Sequence, residues 1–215
     1  FTFASTWNVI EYVGAKPVFV DIDPDTWCIN AGIVDKFITS KTRAIIPVDI
    51  FGNPCNYEEI VGIARDRNIK VIQDCAESLG SKYAGISVLG MGDVSCTSFN
   101  LNKIITSCGG GAIFSNNLST ISGFKKIINQ NKKGGDYDYF GPGFNYRMGS
   151  INSAILLSQI DRFDQTLNKK LRISEIYRES IKSAVFQKTT KMSISNNWVT
   201  ACKFDSKKKR DKVLE

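Results

Sequence analysis

"TRAIIPVDIFGNPCNYEEIVGIARDRNIKVIQDC", residues 42–75, holds two β-rich runs either side of a helical pattern. The runs "TRAIIPVDIF" (42–51) and "IKVIQDC" (69–75) are nearly continuous in apolar residues rather than alternating. Such runs suit parallel strands buried on both faces. Between them "NYEEIVGIARDRN" (56–68) reads as a helix. Strand, helix and strand at this spacing predict an α/β layered sheet.

The pattern extends both ways. Upstream, "KPVFVDID" (16–23) reads as a strand and "NAGIVDKFI" (30–38) as a helix. Downstream, "DVSCTSF" (93–99) and "GGAIFSN" (110–116) add two strands, with Lys103 in the connection between them. "STISGFKKIINQN" (119–131) is helical, and "KKGGDYDYFGPGFNYR" (132–147) is a Gly- and Tyr-rich loop. From Ser150 to Ala184, apolar residues recur at helical spacing (Ile155, Leu156, Ile160, Phe163, Leu167, Leu171, Ile176), giving one long helix or two joined end to end. "NNWVTACKF" (196–204) looks like a strand of a second unit, with "KTTKMSISNN" (188–197) as the linker candidate. The expected division is a large domain over 1–150, a long connecting helix over 151–185 and the start of a small C-terminal domain over 186–215.

The chain has 215 residues, 42% hydrophobic and 23% charged, an ordinary globular composition. With no run of eighteen apolar residues, no membrane span is expected. The net charge of +7 is uneven: from residue 121 onward there are 19 Lys+Arg against 9 Asp+Glu, leaving 9 against 12 before it. These charges fall on helical faces and in "DSKKKRD", without an arginine-rich helix or an aromatic-interleaved basic strand, so nucleic acid is not the expected partner. Six scattered cysteines without a C-x-x-C suggest reduced thiols in a cytoplasmic protein. The absence of histidine excludes a Cys/His zinc site and every Ser-His-Asp or Cys-His scheme. The chain opens with "FTFASTWNV" and ends at "KKKRDKVLE", and is expected to be a piece of a longer protein.

Chemistry concentrates where strands end. Parallel α/β sheets place ligands at the carboxyl ends of their strands. Asp74 closes "IKVIQD", Ser98 closes "DVSCTS", and Lys103 follows in "SFNLNKIITSCGGGA" (98–112). Asp74 has a second reading as a helix cap, since "DCAE" fits the acid-first capping pattern. A lysine among β-branched residues is partly desolvated, which disfavours its ammonium form and leaves an amine able to condense with an aldehyde. Pyridoxal 5'-phosphate is the common cofactor that wants such a lysine, a carboxylate for its ring nitrogen and donors for its phosphate. The glycine run lets the backbone pass close to the site. G-x-G-x-x-G and Walker A patterns are absent, which disfavours a nucleotide loop.

Five blocks carry a family resemblance: "FTFASTWNVIEYVGAKPVFVDIDPDTW", "RAIIPVDIFGNPCNYEEI", "VIQDCAESLGSKYAG", "GDVSCTSFNLNKIITSCGGGAIFSN" and "GFNYRMGSINSAILLSQIDRFD". In order and spacing they resemble the DegT/DnrJ/StrS family of pyridoxal-phosphate-dependent nucleotide-sugar aminotransferases. The resemblance implies a three-layer α/β/α large domain of the fold type I, aspartate-aminotransferase-like architecture. It looks closest to members acting on 4-keto-6-deoxy sugars, such as those making perosamine or bacillosamine and legionaminic-acid precursors. By that resemblance Lys103 is the Schiff-base lysine and proton carrier, Asp74 the partner of the pyridine nitrogen, and Ser98 a phosphate-binding hydroxyl. Phe3 stacks on the cofactor ring, and Glu77 approaches the cofactor's phenolic oxygen or the substrate. Asn145 is lent to the neighbouring subunit's phosphate site, so a homodimer is implied. The substrates implied are a nucleotide sugar and an amino-acid donor, glutamate.

Bland readings stand beside these roles: Phe3 as core, Glu77 as a first-turn acid, Asn145 as a loop-stabilising group. Cys108 stands where the family usually has Gly, and Asp49 where many members have His. The family's Ser-Gly-Thr turn before Phe1 and most of the small C-terminal domain are absent from the sequence, so the piece by itself is expected to be inactive. A sugar dehydratase of the same family replaces the lysine with histidine, and Lys103 argues against it. A non-catalytic remnant is a further alternative, suggested by the truncation and Cys108.

Overall fold

In a computed structural model, which describes residues 1–134 and 137–214, the stretch 42–75 forms strand, helix and strand. Gly135 and Asp136 of the Gly- and Tyr-rich loop, and Glu215 at the end of the expected second unit, lie outside the described residues. The first half runs α1 (Ala4–Tyr12), α2 (Ala31–Val34), β1 (Ala44–Ile45), α3 (Tyr57–Asp66), β2 (Lys70–Asp74), β3 (Lys82–Tyr83), β4 (Ile86–Ser87), β5 (Val94–Ser98) and β6 (Gly111–Phe114). The second half runs α4 (Leu118–Ile128), α5 (Ser150–Ile160), α6 (Phe163–Ser180), β7 (Val185–Phe186), β8 (Ser193–Ile194), β9 (Cys202–Lys203) and α7 (Lys207–Leu214).

Four strands form the main sheet in the order β1-β2-β5-β6. β1 pairs with β2, and β2 with β5, in parallel. α3 is the crossover that such a pair requires. Its Tyr57, Ile60 and Ala64 recur at helical spacing and are buried, while Glu58 and Glu59 in the first turn and Arg65 in the last complement the helix dipole. β1 is short because Pro47 brings no N–H to the ladder, and pairing resumes only as the isolated bridge between Val48 and Asp74. β6 runs antiparallel to β5, because the chain returns through a loop with no crossover helix. Gly111 is required there: a Cβ would lie 2.4 Å from the Thr97 carbonyl oxygen.

Several expectations are corrected. "KPVFVDID" is not a strand: Ile22 makes only an isolated bridge to Ile29, and Val18 and Phe19 are exposed. β-branched and aromatic residues gain strand structure from a neighbouring strand, and among the described residues none pairs with 16–20. Burial along β2 and β5 alternates, so one sheet face is sealed and the other half-covered. Of the two expected forms of the helical stretch after Ser150, the structure has the second: α5 and α6 joined end to end across Asp161 and Arg162.

The linker candidate is an anchored segment. Gln187 donates to the Thr26 and Ile50 carbonyls, and Thr190 N–H donates to Asn53. β8 pairs with β3, and Asn196 is 1% exposed. Side-chain amides at 187 and 196 satisfy buried carbonyls that a flexible linker would leave unpaired. The "NNWVTACKF" strand shrinks to β9, which pairs with β7.

Two apolar cores result. The first joins α2, α3, β1 and β2 through Val34, Ile45, Tyr57, Ile60 and Val71. The second gathers Phe99, Ile104, Ile105 and Trp198, with Phe163 and Leu167 of α6 against it. Among the described residues no helix is long and apolar enough to cross a membrane.

Candidate active site

Asp74 ends β2 and Ser98 ends β5. The strands are parallel neighbours with Asp74 opposite Cys96, so both residues emerge at the same carboxyl edge of the sheet. The Asp74 carboxylate is held at both oxygens: Thr6 Oγ1 donates to Oδ2 at 2.6 Å, and Ala76 N–H donates to Oδ1 at 3.1 Å. No helix follows over 75–81, so the helix-cap reading is overturned and the contact is a local turn. Two donors fix the group, and a carboxylate has acceptor capacity left for a third.

The connection from β5 to β6 closes on itself. Ser107 N–H and Thr106 Oγ1 both donate to the Phe99 carbonyl, and Phe99 N–H donates to the Gly110 carbonyl. Ile104 and Ile105 are 7% and 4% exposed, and each buried side chain of this kind contributes roughly 1.5 to 3 kcal/mol. These two anchors explain why a lysine sits among β-branched residues: they hold down the loop that aims Lys103. Cys108 adopts φ +64°, a left-handed conformation that costs a non-glycine residue about 1 to 2 kcal/mol.

Lys103 Nζ lies 3.9 Å from Glu77 Oε1, with only 13% and 14% of the two side chains exposed. At that distance the amine is not locked into an ion pair. Its Nζ also sits 4.1 Å from the centroid of the Trp198 ring. Burial lowers the basicity of Lys103 below the usual lysine range, while Glu77 and Asp74 pull the other way. Burial likewise raises the Glu77 carboxyl, opposed by the Phe51 N–H that donates to Oε2 at 2.6 Å and by Lys103. Phe51 takes φ +56° to make that bond.

Behind this group stands Asp49, fully buried. It accepts from Cys55 N–H at 2.9 Å, Tyr57 OH at 2.7 Å and Ser78 Oγ at 2.6 Å, and Cys75 Sγ lies at 3.5 Å. Burial nonetheless pushes its carboxyl upward. It braces the turn beside Glu77 and does not reach Lys103.

Of the expected residues, Lys103, Asp74 and Glu77 come together electrostatically. Ser98 lies at the same sheet edge, its Oγ accepting from Asn100 N–H at 3.3 Å. Phe3 caps α1, three residues before Thr6, and is 75% exposed, so it is not core. Asn145 is on an exposed loop whose backbone bridges to Asn129, apart from Lys103. Its neighbours Tyr146 and Arg147 line a groove of about 700 Å³ beside β6 that none of Lys103, Asp74 or Glu77 reaches. Thr6, Trp198 and the Phe51 N–H join the site without being among the residues expected from the sequence. Thr6 is visible in "TFAST" as a hydroxyl near an expected cofactor residue, whereas Trp198 carries no such signal.

A sequence model described as the DegT/DnrJ/EryC1/StrS aminotransferase family matches residues 1–215. The chain belongs to that family. Among relatives of this family member, GDP-perosamine synthase of Escherichia coli O157:H7 is 39% identical over 188 residues, covering 86% of this chain and 51% of that protein. UDP-2-acetamido-2-deoxy-3-oxo-D-glucuronate aminotransferase of Pseudomonas aeruginosa is 34% identical over 185 residues, covering 85% of this chain and 51% of that one. The crystal structure of a DegT DnrJ EryC1 StrS aminotransferase from Brucella abortus matches with a TM-score of 0.90 at 29% identity, over 97% of this chain and 58% of that one. The DegT-family chain thus has the fold type I large-domain architecture, and it spans about half the length of the curated relatives it matches.

Proposed function

We propose that the whole protein is a pyridoxal-phosphate-dependent aminotransferase acting on a nucleotide-linked 4-keto-6-deoxy sugar, with glutamate as donor. One observation carries this: the buried Lys103 amine lies 3.9 Å from Glu77 and within the field of Asp74, whose carboxylate is fixed by its own donors. The donor set suits the cofactor, with an amine for its aldehyde, an oriented anion for a ring N–H and the Ser98 hydroxyl at the same sheet edge for its phosphate. Bound there, the cofactor supplies an aldehyde carbon and a protonated ring that withdraws electrons from the bond to be broken.

The protein residues do the rest. Asp74, oriented by Thr6 and by the Ala76 N–H, would hold the cofactor's ring nitrogen through an N–H donated to its free acceptor capacity. Lys103 would carry a proton to and from the reacting carbon, a role that the lowered basicity of a buried amine favours. Glu77, anchored by the Phe51 N–H, sits where it orients Lys103 and screens it from water. Phe3, exposed at the start of α1, would stack on the cofactor ring. Asn145 serves the phosphate site of a neighbouring subunit in a homodimer, which its exposed position allows. The product is an amino sugar for surface polysaccharide, and the protein is cytoplasmic. Residues 1–150 are the cofactor-binding unit, 151–185 the helical connection and 186–215 the start of a smaller unit.

The full-length protein incubated with pyridoxal phosphate is expected to show the visible absorbance of a lysine-bound cofactor. Lys103→Ala should abolish that band and the exchange of amino groups. A band that survives in Lys103→Ala refutes the assignment.

A further inference from the structure

Lys103 is touched by a residue with no role in the proposal above. Trp198 is 8% exposed and belongs to the second core with Phe99, Ile104 and Ile105, the residues that anchor the lysine loop. Its indole N–H donates to the carbonyl of Asn102, the residue before Lys103, at 2.6 Å. Its ring face lies 4.1 Å from Lys103 Nζ. The indole therefore grips the loop by its edge and the amine by its face. The segment that carries it is also tied to the other side of the site. Asn196 Nδ2 donates to the Glu77 and Leu79 carbonyls at 2.8 and 2.9 Å, and Asn196 Oδ1 accepts from Trp198 N–H at 2.8 Å.

We propose that Trp198 is a positioning residue that sets both the place and the basicity of the Lys103 amine. A tryptophan face attracts an ammonium through its ring quadrupole, and the attraction grows when water is excluded. It thus opposes the burial that drives Lys103 towards its neutral form, keeping the amine able to take a proton as well as give one. The charged groups facing the amine are Glu77 and, acting on it as well, Asp74. Residues 195–198, the rest of 99–107 and residues 4–7 of α1 bring no charged side chain, and the indole face lies beside the amine with Glu77.

The importance for catalysis rests on Lys103 being the cofactor lysine, but the test does not. In the full-length protein freed of cofactor, Lys103 is reductively methylated with labelled formaldehyde and its resonance followed against pH. Trp198→Leu should lower the midpoint by about one unit, a tenfold change in protonation, and Trp198→Phe by a smaller amount. A purely structural tryptophan would lower the melting temperature and leave the midpoint unchanged. An unchanged or raised midpoint in folded Trp198→Phe overturns the proposal even if Trp198→Leu does not fold. The cofactor band, measured separately in Lys103→Ala, tests the lysine's identity.

Discussion

Lys103 and its carboxylates show how one environment moves neighbouring groups in opposite directions. Burial lowers the amine and raises Glu77 and Asp49, because it disfavours whichever form is charged. Asp49 offers the cleaner test, since it is fully buried and outside the proposed chemistry. A carboxyl raised in the folded state binds protons more tightly there than in the unfolded chain. Its contribution to stability is therefore complete below the usual carboxylate range and lost as pH rises through the raised value. The stability difference between the wild type and Asp49→Asn, from denaturant melts at several pH values, should shrink from acid to neutral pH. A difference that grows with pH contradicts the account. Lys103 and Asp74 were legible in the sequence because their residue types clash with or terminate a β-rich run. Thr6 and Trp198 were not, because each reaches the site only through long-range packing.

At the scale of elements, the parallel β1-β2-β5 core was legible from apolar runs and one amphipathic helix. The direction of β6 was not, since a loop and a crossover helix of similar length leave similar gaps between strands. "KPVFVDID" shows the opposite limit: composition supplies the propensity, and pairing decides the outcome. The segment 188–197 reads as a linker from its Ser, Thr and Asn content, yet Asn196 in it satisfies buried backbone groups. Gly52 marks how tightly it docks, since a Cβ there would lie 1.8 Å from Asn196 Oδ1. Asn196→Ala would strand the Glu77 and Leu79 carbonyls and the Trp198 N–H, and should cost about 2 to 3 kcal/mol in denaturant unfolding. A loss below about 0.5 kcal/mol, the range of ordinary surface substitutions, would show that the segment is not anchored through this residue.

For the molecule as a whole, α1 and α5 present no buried residue, and Ile151 and Leu157 of α5 are 78% and 63% exposed. Apolar helices of this kind belong against another surface, and the curated relatives are about twice as long as this chain. The proposed chemistry nevertheless turns on one amine, Lys103. The most direct test is reduction of the full-length protein with borohydride in the presence of pyridoxal phosphate, followed by peptide mass mapping. A single stable adduct on the peptide containing Lys103 is the expected result. An adduct on a different lysine, or none, overturns the proposed role of Lys103.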